Sequence, residues 1–92
     1  MKERYSTSKD VLFTQLDDGG AVLLNLGSGL YYTLNRAGVV VWKALSDGNM
    51  DIPTLTQRLC AIFEVDAAEA EREASRLVRE LQKDGLIRPV HD

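Results

Sequence analysis

The chain predicts an α+β fold: a three-stranded antiparallel sheet followed by three helices. Three observations carry that expectation. The first third of the sequence holds three short runs of β-branched, aliphatic and aromatic residues, separated by turns containing glycine. The remainder holds three stretches with apolar residues at helical spacing, each preceded by an Asn or Asp suited to an N-cap. Strands and helices are segregated rather than alternating, which favours α+β over a parallel α/β arrangement.

The strands come first. Residues 11–16 (VLFTQL) and 21–26 (AVLLNL) flank Asp17-Asp18-Gly19-Gly20, whose glycines can take the positive φ of a tight hairpin. Gly27-Ser28-Gly29 then turns the chain into a third strand, residues 30–34 (LYYTL). Alternation places Leu30, Tyr32 and Leu34 on one face and Tyr31 and Thr33 on the other. Residues 1–9 read as a polar lead-in. A meander of this size is marginal alone, so helices must cover one face.

Asn35 caps the first predicted helix, which runs to about Ser46 with Gly48 as terminator; Ala37, Val40, Val41, Ala44 and Leu45 form its stripe and Trp42 closes the edge. Asp51 caps the second, with Pro53 in the first turn and Leu55, Leu59, Ile62 and Phe63 as its apolar side. The third opens on Asp66-Ala67-Ala68-Glu69, the spacing of a capping box, and ends at Asp84-Gly85. On a helical wheel Ala67, Ala70, Ala74, Leu77, Val78 and Leu81 share an arc of about 100°. Arg72, Arg76, Arg79 and Lys83 gather on a separate side, with Glu73 and Glu80 between. Leu86 and Ile87 are placed to fold back over the helix end.

Composition restricts the chemistry. The 92 residues are 45% hydrophobic and 27% charged, consistent with one soluble domain over residues 1–92 and an ordered core over about 8–88. One Cys leaves no disulfide framework or Cys-rich zinc site and fits a reducing, cytoplasmic compartment. One His, penultimate at position 91, leaves little for acid–base or metal chemistry. Cys60 adjoins an apolar stripe without a histidine to activate it, which marks a structural thiol. Asp17 and Asp18 belong to a turn, and Gly27-Ser28-Gly29 is too short for a phosphate loop. No run is long and apolar enough to cross a membrane, and no secretory signal is visible. The expectation is therefore a protein that is not an enzyme and carries no cofactor and no metal.

Two features point to binding. The third strand has no Pro, Lys or Glu to block its edge, so that edge is either shielded by the protein or used to recruit an extended peptide. The basic stripe is either a solvated face, with pairs such as Glu73–Arg76 and Arg76–Glu80, or an electrostatic rail of Arg72, Arg76 and Lys83 for an acidic partner.

At residues 30–45 the pattern becomes recognisable. Tyr31-Tyr32-Thr33-Leu34-Asn35-Arg36-Ala37-Gly38, then Val41-Trp42, Leu45 and Asp47-Gly48, resembles the PqqD-like family. The likeness continues through residues 55–63 and through Leu77, Leu81 and Gly85-Leu86-Ile87. It implies a winged helix-turn-helix-like peptide-binding module, a recognition element for ribosomally made precursor peptides. Such proteins hold the leader segment as an added strand on the third β-strand, beside the third helix. On this chain the implied peptide-binding residues are Leu30, Tyr31, Tyr32, Thr33, Leu34, Ser75, Val78, Arg79 and Gln82, with Leu77 and Leu81 as floor. The aromatic strand and Trp42 are more similar to the standalone members of lasso-peptide pathways, which implies a leader peptidase or cyclase as enzyme partner.

Two other readings stay open. A winged-helix nucleic-acid binder needs a basic excess, and the net charge is −3. An edge-strand dimerisation module would use the same open strand to pair with a second copy.

Overall fold

In chain order, the elements of the computed structural model, which describes residues 3–90, are β1 (Arg4–Thr7), β2 (Val11–Gln15), β3 (Ala21–Asn25), β4 (Tyr31–Leu34), α1 (Arg36–Asp47), β5 (Met50–Asp51), α2 (Ile52–Ile62), α3 (Ala67–Lys83) and β6 (Ile87–Val90). The expected meander is β2, β3 and β4, paired antiparallel in that order, so β4 is an edge. The expected lead-in is instead β1, the centre of a second antiparallel sheet of order β5-β1-β6. His91 lies outside the described residues.

The two turns of the meander are built as their composition requires. In the first, Gly19 takes φ +91°, Gly19 N–H donates to the Leu16 carbonyl, and Asp18 Oδ1 accepts from Gly20 N–H at 2.9 Å. Gly20 is needed for space: a Cβ there would stand 2.6 Å from the Leu34 carbonyl oxygen. In the second, Asn25 Oδ1 accepts from Gly27 and Ser28 N–H, and Asn25 Nδ2 donates 3.1 Å to the Asp84 carbonyl. That side chain fastens the β3–β4 turn to the end of α3. Leu30 falls in this turn rather than in the strand and is 57% exposed.

All three expected N-caps form: Asn35, Asp51 and Asp66 accept from Gly38, Thr54 and Glu69 N–H at 2.8 to 2.9 Å. The end of α3 is a Schellman motif, with Gly85 at φ +73° and Leu86 N–H donating to the Leu81 carbonyl. Leu86 and Ile87 are buried, and the chain returns as β6.

The core joins both sheets to all three helices, with Leu23, Leu34, Leu45, Leu55, Leu81 and Leu86 fully enclosed. Three stripes need correction. In α1 the buried set is Gly38, Val39, Val41, Trp42, Ala44 and Leu45; Ala37 and Val40 are only half-buried. The helix lies between the two sheets, and its buried face is broader than a single stripe. In α2 Ile62 is 60% exposed, because the helix ends there and the chain turns away at Phe63. In α3 Ala67 is exposed on the first turn, ahead of the core.

Candidate functional site

Edge strand β4 and helix α3 face each other across a cleft of about 450 Å³. Its floor is apolar, from Leu34 and Leu77, both at most 3% exposed. Tyr32 and Thr33 line the strand side, Arg76 the helix side, and Leu16, Asp18 and Arg36 line it where the β2–β3 turn meets α1. Past Asn35 lies a second hollow of about 260 Å³, lined by Ala37, Leu59, Phe63, Val65 and Ala70 together with Glu69 and Glu73.

One polar network spans the cleft. The Tyr32 hydroxyl donates to Glu80 Oε1 at 2.7 Å, and Arg76 Nη1 donates to Glu80 Oε2 at 2.6 Å. Arg76 also pairs through Nε and Nη2 with the Glu73 carboxylate. Burial, and then the bond to Glu80, push the Tyr32 phenol up to about 12. The Tyr32 hydroxyl, followed by Arg76, holds the Glu80 carboxyl below its ordinary range. Arg76, raised chiefly by Glu73 and Glu80, is a permanent cation already neutralised by two carboxylates. The wall of α3 that faces β4 is therefore not a free basic surface.

The structure divides the residues singled out from the sequence. Tyr32, Thr33, Leu34, Arg76 and Leu77 meet in the cleft. Leu81 is fully buried beneath. Tyr31 is 70% exposed on the outer face of the meander, in register through Leu24 with Leu12, itself 52% exposed. Ser75, Val78, Arg79 and Gln82 line a separate hollow with Tyr5 and Ile52, on the opposite flank of α3. The reason is angular. The buried stripe of α3 separates two flanks about 100° to either side, and the wheel does not say which one meets the sheet. Arg72, Arg79 and Lys83 remain exposed. The pairs of Arg76 with Glu73 and Glu80 were legible from spacing, but the bond from Glu80 to Tyr32 across the cleft was not. Sequence reading also missed Arg36, whose placement depends on a distant turn. Among the described residues no cluster of His, Cys, Asp and Glu could hold a metal ion, and Cys60 is a half-buried free thiol.

Residues 20–87 match the family model described as coenzyme PQQ synthesis protein D (PqqD). The chain belongs to the PqqD family. Two solved structures share this PqqD-type fold over nearly their whole length. One is TbiB1 in complex with the TbiA(beta) leader peptide: 29% identical, TM-score 0.80, covering 95% of this chain and 99% of that one. The other is lasso peptide synthetase B1 complexed with the leader peptide: 30% identical, TM-score 0.78, covering 92% and 98%. None of the curated proteins matches the chain.

Proposed function

We propose that this PqqD-family chain is a recognition protein for the leader segment of a ribosomally synthesised precursor peptide, of the lasso-peptide type. It binds the leader as an added strand on β4 and presents it to modifying enzymes, a leader peptidase and a cyclase. The observation that carries this reading is the open edge of β4 above an apolar-floored cleft, in a chain similar to two proteins solved with leader peptides. Backbone pairing supplies affinity, and alternate side chains entering the cleft supply selectivity. The contact set is Tyr32, Thr33, Leu34, Arg76 and Leu77, with Ser75, Val78, Arg79 and Gln82 outside it. The reading requires no catalytic group, and it places the work in the cytoplasm beside the enzymes served.

The test is a titration of isotope-labelled protein with a leader peptide, the TbiA(beta) leader first, followed by NMR. Amides of β4 and side chains of Arg76 and Leu77 shift first, with a Kd of about micromolar or tighter. Thr33→Pro, which cannot donate to a ladder, removes binding while the domain stays folded. Salt-sensitive binding of duplex DNA with shifts on Arg72, Arg79 and Lys83 would instead support a nucleic-acid partner.

A further inference from the structure

Two guanidinium groups line the cleft, and they differ in what is left to donate. Arg76 spends Nε, Nη1 and Nη2 on Glu73 and Glu80. Arg36 makes one bond, from Nε to the Asp18 carbonyl oxygen at 3.3 Å, and among the described residues its two terminal nitrogens have no partner. The acid nearest in sequence to that bond, Asp18, points its Oδ1 at Gly20 N–H.

Arg36 is also seated. Its side chain crosses directly over Gly19, where an added Cβ would come within 2.8 Å of Nε and 3.1 Å of Cγ. The missing side chain at Gly19 makes the slot, and the Asp18 carbonyl fixes the near side of the guanidinium. The forked far side is left beside the end of β4, where Thr33, Leu34 and Asn35 line the same cleft. A planar fork with both outer nitrogens free suits bidentate capture of a carboxylate. The first turn of α1 holds no acidic residue to compete.

We propose that Arg36 is the residue that reads an acidic side chain in the bound peptide, an Asp or Glu lying where the added strand passes the junction of β4 and α1. The proposal rests on the strand-addition reading and sharpens it, because it assigns one charged position and one end of the peptide.

The experiment selects binders from a randomised peptide display library on the wild-type protein, on Arg36→Gln and on Thr33→Pro. Arg36 is exposed, so its replacement leaves the fold intact, which circular dichroism checks. The expected result is an acidic residue at one fixed position of the wild-type pool. In the Arg36→Gln pool that preference is lost and the apolar positions persist. Replacing the acid by its amide in a selected peptide then weakens wild-type binding about tenfold and Arg36→Gln binding less than about twofold. An acidic preference that survives Arg36→Gln, or none in the wild-type pool, overturns the assignment while leaving strand addition standing. Equal recovery on wild type and Thr33→Pro overturns strand addition itself, and the role of Arg36 with it.

Discussion

At Tyr32 the ring is half-buried while the hydroxyl reaches across the cleft to Glu80. The bond therefore couples strand to helix, and its pH dependence follows from the two shifts. The Glu80 pKa is depressed in the folded state, so its contribution is present above the unfolded carboxylate value and fades as pH falls through the folded one. The Tyr32 pKa is raised to about 12, so its contribution is complete below the unfolded value near 10 and is lost as pH rises through about 12. Tyr32→Phe should lower stability in urea by about 1 kcal/mol or less, given the partial exposure. The gap between variant and wild type stays constant from about pH 6 to 9 and narrows below about pH 4. A gap unchanged in acid would mean that the charge on Glu80 adds nothing to the bond. Gly20 tests a different physics. Its neighbour across the turn is backbone, the Leu34 carbonyl, which cannot swing aside. Gly20→Ala should cost about 1–3 kcal/mol by overpacking, read from the urea midpoint, and should displace the end of β4.

At the scale of an element, α3 serves two neighbours from two flanks. Glu73, Arg76, Leu77 and Glu80 belong to the β4 side, and Ser75, Arg79 and Gln82 to the side of Tyr5 and Ile52. Leader binding should broaden or shift the first group in NMR and leave the second within the noise; Ser75→Ala and Gln82→Ala should change affinity less than about twofold. Movement of Gln82 ahead of Leu77 would mean that the peptide lies on the other flank. The contrast shows what was legible. That β4 carries no residue to block its edge could be read locally, although whether the protein shields that edge could not. All three N-caps and the Gly85 terminator could also be read, because their partners lie within five residues. The cleft flank of α3 could not, since periodicity gives angles around a helix axis and not the direction of the sheet. Arg36 was hidden for the same reason: its slot is made by Gly19, across the β2–β3 turn.

For the molecule as a whole, the hidden feature is the second sheet. Its strands carry no signal of their own: Arg4–Thr7 is polar, Met50–Asp51 is two residues long, and Ile87–Val90 contains Pro89. They exist because β1 pairs with both others and puts Tyr5 into the core. This sheet also fastens the end of α3. β6 follows directly on α3, and Ser8 ties the helix end through its N–H to the Leu86 carbonyl and its hydroxyl to the Gly85 carbonyl. The PqqD match spans residues 20–87, so a fragment cut to it keeps α1 to α3 but loses β1, β2 and all of β6 beyond Ile87. Removing only residues 1–8 discriminates more finely, because the meander and every cleft residue remain. That truncation leaves β5 and β6 without a partner and α3 without its Ser8 anchor, so it should lose cooperative thermal unfolding and leader binding together. Tyr5→Ala, which keeps the β1 backbone, should cost about 3 kcal/mol and retain binding at low temperature. A truncated chain that melts like wild type would reduce the second sheet to an appendage, and the position of α3 over β4 would then have to come from the helices alone.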